Sequence, residues 1–374
     1  MENRAAKFRL WLEQTGGFRY VNEIRTLTHP QATGLLATYI HQLSISPYNN
    51  AGHFRMANTL THHLTAAHAF LAQHMIQPLP LYSHTSGGHR IIPFLGAFID
   101  LRRKWQVPRP KRQPYTLNML QHLHDEVEAG AAKHTNYYLS LPALVFDAIR
   151  LGIFTGSRVS EYAQSKGSRS HISTVPDSHP DPSLRGQPIA FIAQDFLFLD
   201  ANHIRMSHTR AMNLPHSAVE LHVTFRYDKS SRNHSVRKFG PGTRWLCPIL
   251  AAIRILLRAH HLLAPASHPI FIYQGHDGSP KLLRADEVTS VMRAVCTATY
   301  TNPNHYMRLH ISGVTSHSNW VTAAVALWRA GTSTHDIAHR LRWKPESVEH
   351  YIRECSQDIG RLTEAAIAGA TRPA

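Results

Sequence analysis

The sequence predicts a mainly α-helical protein that carries a small antiparallel β-sheet and is divided into two domains. Apolar residues recur at helical spacing over most of the chain, and a few short segments after residue 188 alternate between apolar and polar residues. A basic, proline-rich segment interrupts both patterns. We therefore expect a helical domain at 1–104, a linker at 105–115 and a mostly helical domain with the sheet at 116–374.

The first hundred residues are expected to form helices. Between Thr59 and Met75, one helix face would carry the apolar residues Leu60, Leu64, Ala67, Phe70 and Leu71. A last helix is expected to continue beyond Pro93 and Gly96 to about Lys104.

The segment Arg102–Tyr115, which spans the expected domain boundary, combines three prolines with six basic residues and shows no apolar periodicity. The basic residues, all candidates for DNA binding, are Arg102, Arg103, Lys104, Arg109, Lys111 and Arg112. Two interpretations remain open: a basic strap that lies along DNA, or an ordinary solvated linker.

The charge balance favours a polyanionic partner. The formal net charge is +16 with 29 histidines counted as neutral, and residues 1–115 hold 13 lysines and arginines against four acidic residues. Nucleic acid is the first expectation and an anionic membrane surface the second, although no amphipathic Lys/Arg helix indicates a membrane anchor.

The composition also indicates where in the cell the protein is expected to be. No run of 18 apolar residues predicts a membrane span, and the polar N-terminus does not read as a signal peptide. The three cysteines, Cys247, Cys296 and Cys355, are widely spaced, which favours neither a disulfide framework nor a thiolate zinc site. We expect an intracellular protein, nuclear if the host is eukaryotic.

In the second domain, Thr116 is a plausible helix cap, and an apolar helix is expected at Leu141–Arg150. A surface loop rich in Ser, Pro, His and Asp follows at about 167–187. Strands are expected at Ile189–Ile192, Phe196–Leu199, Glu220–Tyr227 and Val236–Phe239, the last two joined by a hairpin turn. Helices resume at Pro248, a residue suited to a first helical position.

Four segments carry candidate chemistry. In the first, at 152–161, Gly156 would end a helix and Ser157 would cap the next, which places Arg158 in a first turn where free N–H groups favour an anion. The second is the hairpin tip that holds Lys229. Taken alone, an arginine near a helix cap is more often a surface residue, and a lysine at a hairpin tip is usually just solvated.

The third segment, at 316–324, leads from His317 into an apolar helix that ends at Gly331. The fourth, at 340–353, follows a capping box of Ser333 and Asp336 and contains a last helix that Pro345 opens. Tyr351 shares a face of that helix with apolar residues, so periodicity alone predicts a core aromatic.

The order of these segments resembles the tyrosine recombinase (phage integrase) family. Thr-Gly-Ser-Arg-Val-Ser-Glu at 155–161 is followed by a hairpin lysine at 229, then by His-Ser at 317–318 before an alanine-rich helix. Arg-Leu-Arg-Trp at 340–343 and a tyrosine eight residues beyond that tryptophan complete the series. The resemblance covers nearly the whole chain and is greatest to the transposon-borne eukaryotic branch, which often has Trp at the position of a second His.

The resemblance implies a helical core-binding domain followed by a catalytic domain. Tyr351 would attack a DNA phosphodiester and form a 3′-phosphotyrosyl bond. Arg158 would donate two hydrogen bonds to the non-bridging oxygens, and Lys229 would protonate the leaving 5′ oxygen.

The resemblance assigns the remaining roles as well. His317 would act as a donor or acid/base, Trp343 would donate its indole N–H or pack the phosphate pocket, and Glu161 would orient a neighbour. It implies double-stranded DNA as the partner, a homotetramer on two DNA sites, and no metal or other cofactor. The histidine pairs at 62–63 and 260–261 lack the accompanying ligands of a metal motif, which favours surface or core positions.

One position departs from the family. The pattern His-x-x-Arg places its arginine at 320, where this chain has Trp320. Loss of one transition-state donor costs about 10²–10³ in rate, unless Arg308, Arg340 or Arg342 takes the role. The alternatives are an active recombinase, a catalytically impaired DNA-binding protein on the same fold, and a type IB topoisomerase, which the box order disfavours. We expect Trp320→Arg to raise cleavage, unless Trp320 is a packed core residue.

Overall fold

The computed structural model describes residues 2–15, 24–45, 57–76, 82–85, 88–91, 93–105, 112–164, 172–227, 233–243, 245–343, 348–349 and 352. These residues are mainly helical and include a small antiparallel sheet, so the predicted fold class is confirmed. The chain divides into two compact units, Met1–Arg109 and Pro110–Ala374, which we call the N-terminal and C-terminal units. Within the described part of the chain, none of the helices has the length and apolar character needed to cross a membrane.

The N-terminal unit contains helices α1 (Glu2–Thr15), α2 (His29–Ile45), α3 (Ala57–His74) and α4 (Pro93–Trp105). Four of the five apolar residues predicted for one face of α3 are fully buried, and Phe70 is partly buried, because this face packs on α1 and α2. A short hairpin, β1 (Tyr82–Thr85) with β2 (Gly88–Ile91), was not predicted. Its strands hold Ser, His and Thr instead of alternating apolar residues.

The C-terminal unit is built around helix α6 (Leu141–Thr155), in which every residue from 143 to 152 is buried. Ser140 caps its start, and it packs between α9 (Pro248–His261) and α12 (Ser318–Arg329). Helices α5 (Leu117–Lys133) and α10 (Ala285–Thr299) lie beside it, and Thr116 caps α5 as predicted. The shorter helices are α7 (Val159–Tyr162), α8 (His208–Asn213), α11 (Tyr306–Leu309) and α13 (Thr334–Leu341).

The sheet of this unit is antiparallel with the order β4-β3-β5-β6. Its strands are β3 (Phe196–Leu199), β4 (Arg205–Met206), β5 (Glu220–Phe225) and β6 (Ser235–Phe239). A second pair joins β7 (Ile272–Gln274) to β8 (Pro280–Leu282). The strand predicted at Ile189–Ile192 is wrong: the N–H groups of Ile189, Phe191 and Ile192 bond to three separated partners, Ser173, Glu161 and Asp195, so no ladder forms.

Candidate functional site

The turn after α6 brings the first and fourth sequence segments into contact. Gly156 ends α6 in the left-handed region (φ +60°), as predicted for the helix end. A Cβ atom there would lie 2.6 Å from a side-chain methyl of Leu341 and 3.1 Å from its Cα. Glycine therefore satisfies both the backbone conformation and the close approach of α13.

Arg158 lies at this turn, one position from where the sequence suggested. It is itself the N-cap of α7, and its N–H donates to Glu161 Oε2 at 2.7 Å. Ser157 is not the cap, because its hydroxyl bonds to Thr155 Oγ1 instead. The Arg158 guanidinium stands 5.4 Å from the ring centre of Trp320 and donates to the carbonyl of Arg342 at 3.4 Å. Its side chain is 17% exposed.

A buried ion pair lies behind Arg158. Both oxygens of Glu161 accept from Arg342, at 2.9 and 2.8 Å, and the two side chains are 4% and 0% exposed. The Arg342 guanidinium also lies 3.5 Å from the ring centre of Phe225. Glu161 thus fixes the α7 cap and holds the segment after α13. The sequence indicated Arg342 only as a possible substitute cation, because its bond to Glu161 joins residues 181 positions apart.

Trp320 is integrated into the packing of the site. Its indole N–H donates to the carbonyl of Gly156 at 2.6 Å, and its ring packs against Trp343 with centroids 4.9 Å apart. Trp343 is 7% exposed and belongs to a cluster with Val348 and Ile352. Position 320, where the resemblance described above leads to the expectation of an arginine, therefore holds a side chain that joins α12 to the Gly156 turn.

Two buried tyrosines hold the segment that precedes α12. The hydroxyl of Tyr162 donates to the carbonyl of Ser316 at 2.9 Å, and that of Tyr115 donates to Thr315 at 2.6 Å. Burial raises the pKa of both hydroxyls, so both remain protonated donors. His317 follows at the start of α12 with its side chain exposed, which leaves the imidazole accessible from solvent.

Two arginine–carbonyl contacts join α13 to the β5–β6 hairpin. Arg237 of β6 donates to the carbonyl of His339 at 3.3 Å, and Arg340 of α13 donates to that of Lys238 at 3.2 Å. Arg340 also stacks on Phe239, with its guanidinium carbon 4.3 Å from the ring centre. Burial lowers the pKa of Arg340, and nearby Arg237 lowers it further. The hairpin that carries residue 229 is thereby joined to the helix that precedes Trp343.

The three arginines considered as substitutes for the missing one have different partners. Arg342 binds Glu161, Arg340 binds the hairpin, and Arg308 donates to the carbonyl of Thr297 at 3.2 Å. In this arrangement the Arg158 guanidinium faces Trp320, which packs on Trp343.

Several predicted site residues lie outside the described residues: Lys229, Tyr351, Arg109 and Lys111. Arg102 and Arg103 belong to α4, and nothing is assigned to their side chains. Lys104 is exposed at the end of α4, whereas Arg112 is half-buried in the C-terminal unit. Among the residues that the structure describes, no cluster of His, Cys, Asp and Glu has a metal-binding arrangement.

No family model and no curated protein matches the chain. Among solved structures, it is similar to the Tn1549 transposon integrase in complex with transposon right end DNA, at 11% identity and a TM-score of 0.40, over 98% of this chain and 99% of that one. A complex of that integrase with a circular intermediate DNA gives 12% identity and a TM-score of 0.38, over 97% and 99%.

Proposed function

We propose that the chain is a tyrosine recombinase of the mobile-element type, which binds duplex DNA and cuts and rejoins strands through Tyr351. The observation that carries this proposal is the contact between distant segments. Arg158 donates to the carbonyl of Arg342, 184 residues away, and faces Trp320, which packs on Trp343. Three of the four recombinase-like segments thus meet around a partly exposed guanidinium, a group suited to hold a phosphate.

The proposed chemistry is a transfer of the phosphoryl group to tyrosine. The Tyr351 hydroxyl gives its proton to His317, and its oxygen forms a bond to phosphorus as the bond to the 5′ oxygen breaks. Lys229 then gives a proton to that leaving oxygen. The tyrosyl ester retains the bond energy for religation, and the reverse attack by a 5′ hydroxyl restores the DNA. Arg158 stabilises the charge on the non-bridging oxygens, and the exposed imidazole of His317 serves as donor or acid/base. Acid, base and cation are all side chains, so no metal is required.

Glu161 has a positioning role in this proposal. Its carboxylate is neutralised by Arg342 and accepts the N–H of Arg158, whereas its distance to the Arg158 guanidinium is 4.0 Å. Arg158 is thus oriented by its backbone, while its charged end lies toward the tryptophan pair.

A specific observation supports a second candidate, a DNA-binding protein that cleaves slowly or not at all. The indole N–H of Trp320 is engaged by the carbonyl of Gly156, so Trp320 supplies neither a charge nor a donor for a phosphate. The net charge of +16 favours DNA binding in both candidates. The proposal also includes a homotetramer that acts on two DNA sites. If the host is eukaryotic and the enzyme is transposon-borne, the proposed location is the nucleus.

Covalent trapping separates the two candidates. The full chain is incubated with a DNA duplex nicked so that cleavage releases a short 5′-hydroxyl fragment, and adducts are resolved on a denaturing gel. The active enzyme yields an adduct that disappears in Tyr351→Phe. The adduct persists in the control Tyr138→Phe, which removes a hydroxyl that bonds to His261 in the wild-type chain. DNA binding without any adduct supports the second candidate, and an adduct that survives Tyr351→Phe refutes the proposed nucleophile.

A further inference from the structure

The C-terminal unit contains a pocket that shares no residue with the candidate site. Its volume is about 450 Å³, within the range of small-molecule sites. Residues of α5, α6, α8 and α9 line it together with Trp245. Trp245, Leu250 and Ile253 supply an apolar wall, and Arg150 and Arg254 supply two guanidinium groups.

A buried charge imbalance lies at one wall of this pocket. Asp147 pairs with Arg150 at 2.5 Å and with Arg258 at 2.7 Å, and the side chains of all three are at most 2% exposed. Two guanidinium groups against one carboxylate leave an excess positive charge in this buried triad. Among the described residues, Arg254, also at the pocket, has a long contact of 3.8 Å with the exposed Glu128, which lines the pocket as well. Burial lowers the pKa of Arg150, Asp147 raises it, and Arg254 lowers it.

Two buried nitrogen atoms of pocket-lining residues have no hydrogen-bond partner among the described residues: Arg150 Nε and His124 Nδ1. The other two nitrogens of Arg150 bond to Asp147 and to the carbonyl of Trp245, at 3.2 Å for the latter. The His124 ring is stacked between Phe146 and Trp245, with centroids 5.5 and 5.7 Å away. Unsatisfied buried polar atoms are costly at a wall that already carries excess positive charge, and an anion beside Arg150 would offset that charge.

We propose that this pocket binds a small organic anion that combines a carboxylate with a flat apolar body. The carboxylate accepts from Arg150 and is attracted by Arg254, and the flat body packs against Trp245 and Leu250. Charge-assisted hydrogen bonds at a buried arginine give such a site its selectivity for the charged ligand. DNA is not involved, so the test is independent of the recombinase proposal.

The first test compares benzoate with benzyl alcohol, a neutral molecule of similar shape, by titration calorimetry on the full chain without DNA. Saturable binding of benzoate, at least tenfold tighter than that of benzyl alcohol, is expected from a charge-assisted hydrogen bond. Equal binding of the two molecules, or no binding of benzoate, would overturn the proposal.

A matched pair of variants tests the assignment to Arg150. Arg150→Met and Arg258→Met each remove one charge and leave Asp147 in a one-to-one pair, so both are expected to fold. Of these two arginines, only Arg150 lines the pocket. Arg150→Met should weaken benzoate binding at least tenfold, and Arg258→Met should change it by less than about threefold. The opposite order, or equal losses, would refute the site.

Arg254→Gln provides a surface variant should the buried ones fail to fold. Its side chain is 35% exposed, so the fold should tolerate the change, and benzoate binding should weaken severalfold. Unchanged binding in Arg254→Gln would count against the pocket.

Discussion

Replacing Glu161 by glutamine tests the buried ion pair that supports the candidate site. The variant keeps the shape of the side chain but leaves the Arg342 guanidinium charged, 0% exposed and without its counter-charge. Removing one partner of a buried pair costs about 3–5 kcal/mol. Because glutamine still offers one acceptor oxygen, we expect the lower end, about 3 kcal/mol. Urea unfolding of the full chain, followed by tryptophan fluorescence, measures this loss.

Two controls make the result specific. Glu128→Gln is the same substitution at an exposed pair, with a 3.8 Å contact to Arg254, and should cost less than about 1 kcal/mol. The double variant Glu161→Gln/Arg342→Met removes the unpaired charge and should recover at least half of the loss. A cost in Glu161→Gln as small as in Glu128→Gln, or no recovery in the double variant, would refute the reasoning.

The remaining predictions concern the Gly156 turn, Trp320 and DNA. Trp320→Phe keeps an aromatic ring but loses the bond to Gly156 and should destabilise the chain by about 1–3 kcal/mol in urea unfolding; no change would show that the bond is dispensable. Gly156→Ala meets both a left-handed backbone and Leu341 and should cost roughly 2 kcal/mol or more, so wild-type stability would refute the close contact. Trp320→Arg places a second guanidinium beside Arg158 and removes the indole bond; we expect lower thermal stability without increased cleavage, and a stable, faster variant would contradict this. Gel shifts on duplex DNA should show log affinity falling with log salt by about 0.9 per phosphate contact, and salt-insensitive binding would argue against a phosphate-dominated interface.

Local chemistry explains what could be predicted of the fold. The α3 stripe follows from helical periodicity, and Thr116 and Ser333 follow from capping, since Ser333 bonds to the N–H of Asp336. Gly156 follows from the enrichment of glycine at helix ends. The strand at Ile189–Ile192 was predicted wrongly because an apolar run does not determine where its N–H groups find partners.

The interior of the candidate site depends on tertiary contacts that no local pattern specifies. The order of the four segments indicated that they belong to one site. That Arg158 and not Ser157 caps α7, however, depends on the Glu161 carboxylate. The bond from Trp320 to Gly156 likewise joins residues 164 positions apart. Neither the Arg158 cap nor the Trp320 bond could therefore be predicted from the sequence, in which Trp320 stands out only as a replacement for an arginine.

Peptide mapping of the trapped DNA adduct tests the central claim most directly. Nuclease treatment leaves a nucleotide on the protein, and trypsin then releases residues 343–353, a peptide in which Tyr351 is the only tyrosine. We predict that this peptide gains the mass of a nucleotide through a phosphotyrosyl bond and that the other tyrosine peptides remain unmodified. A nucleotide on any other peptide would contradict the assignment of Tyr351, and DNA binding with no modified peptide would contradict strand cleavage by this chain.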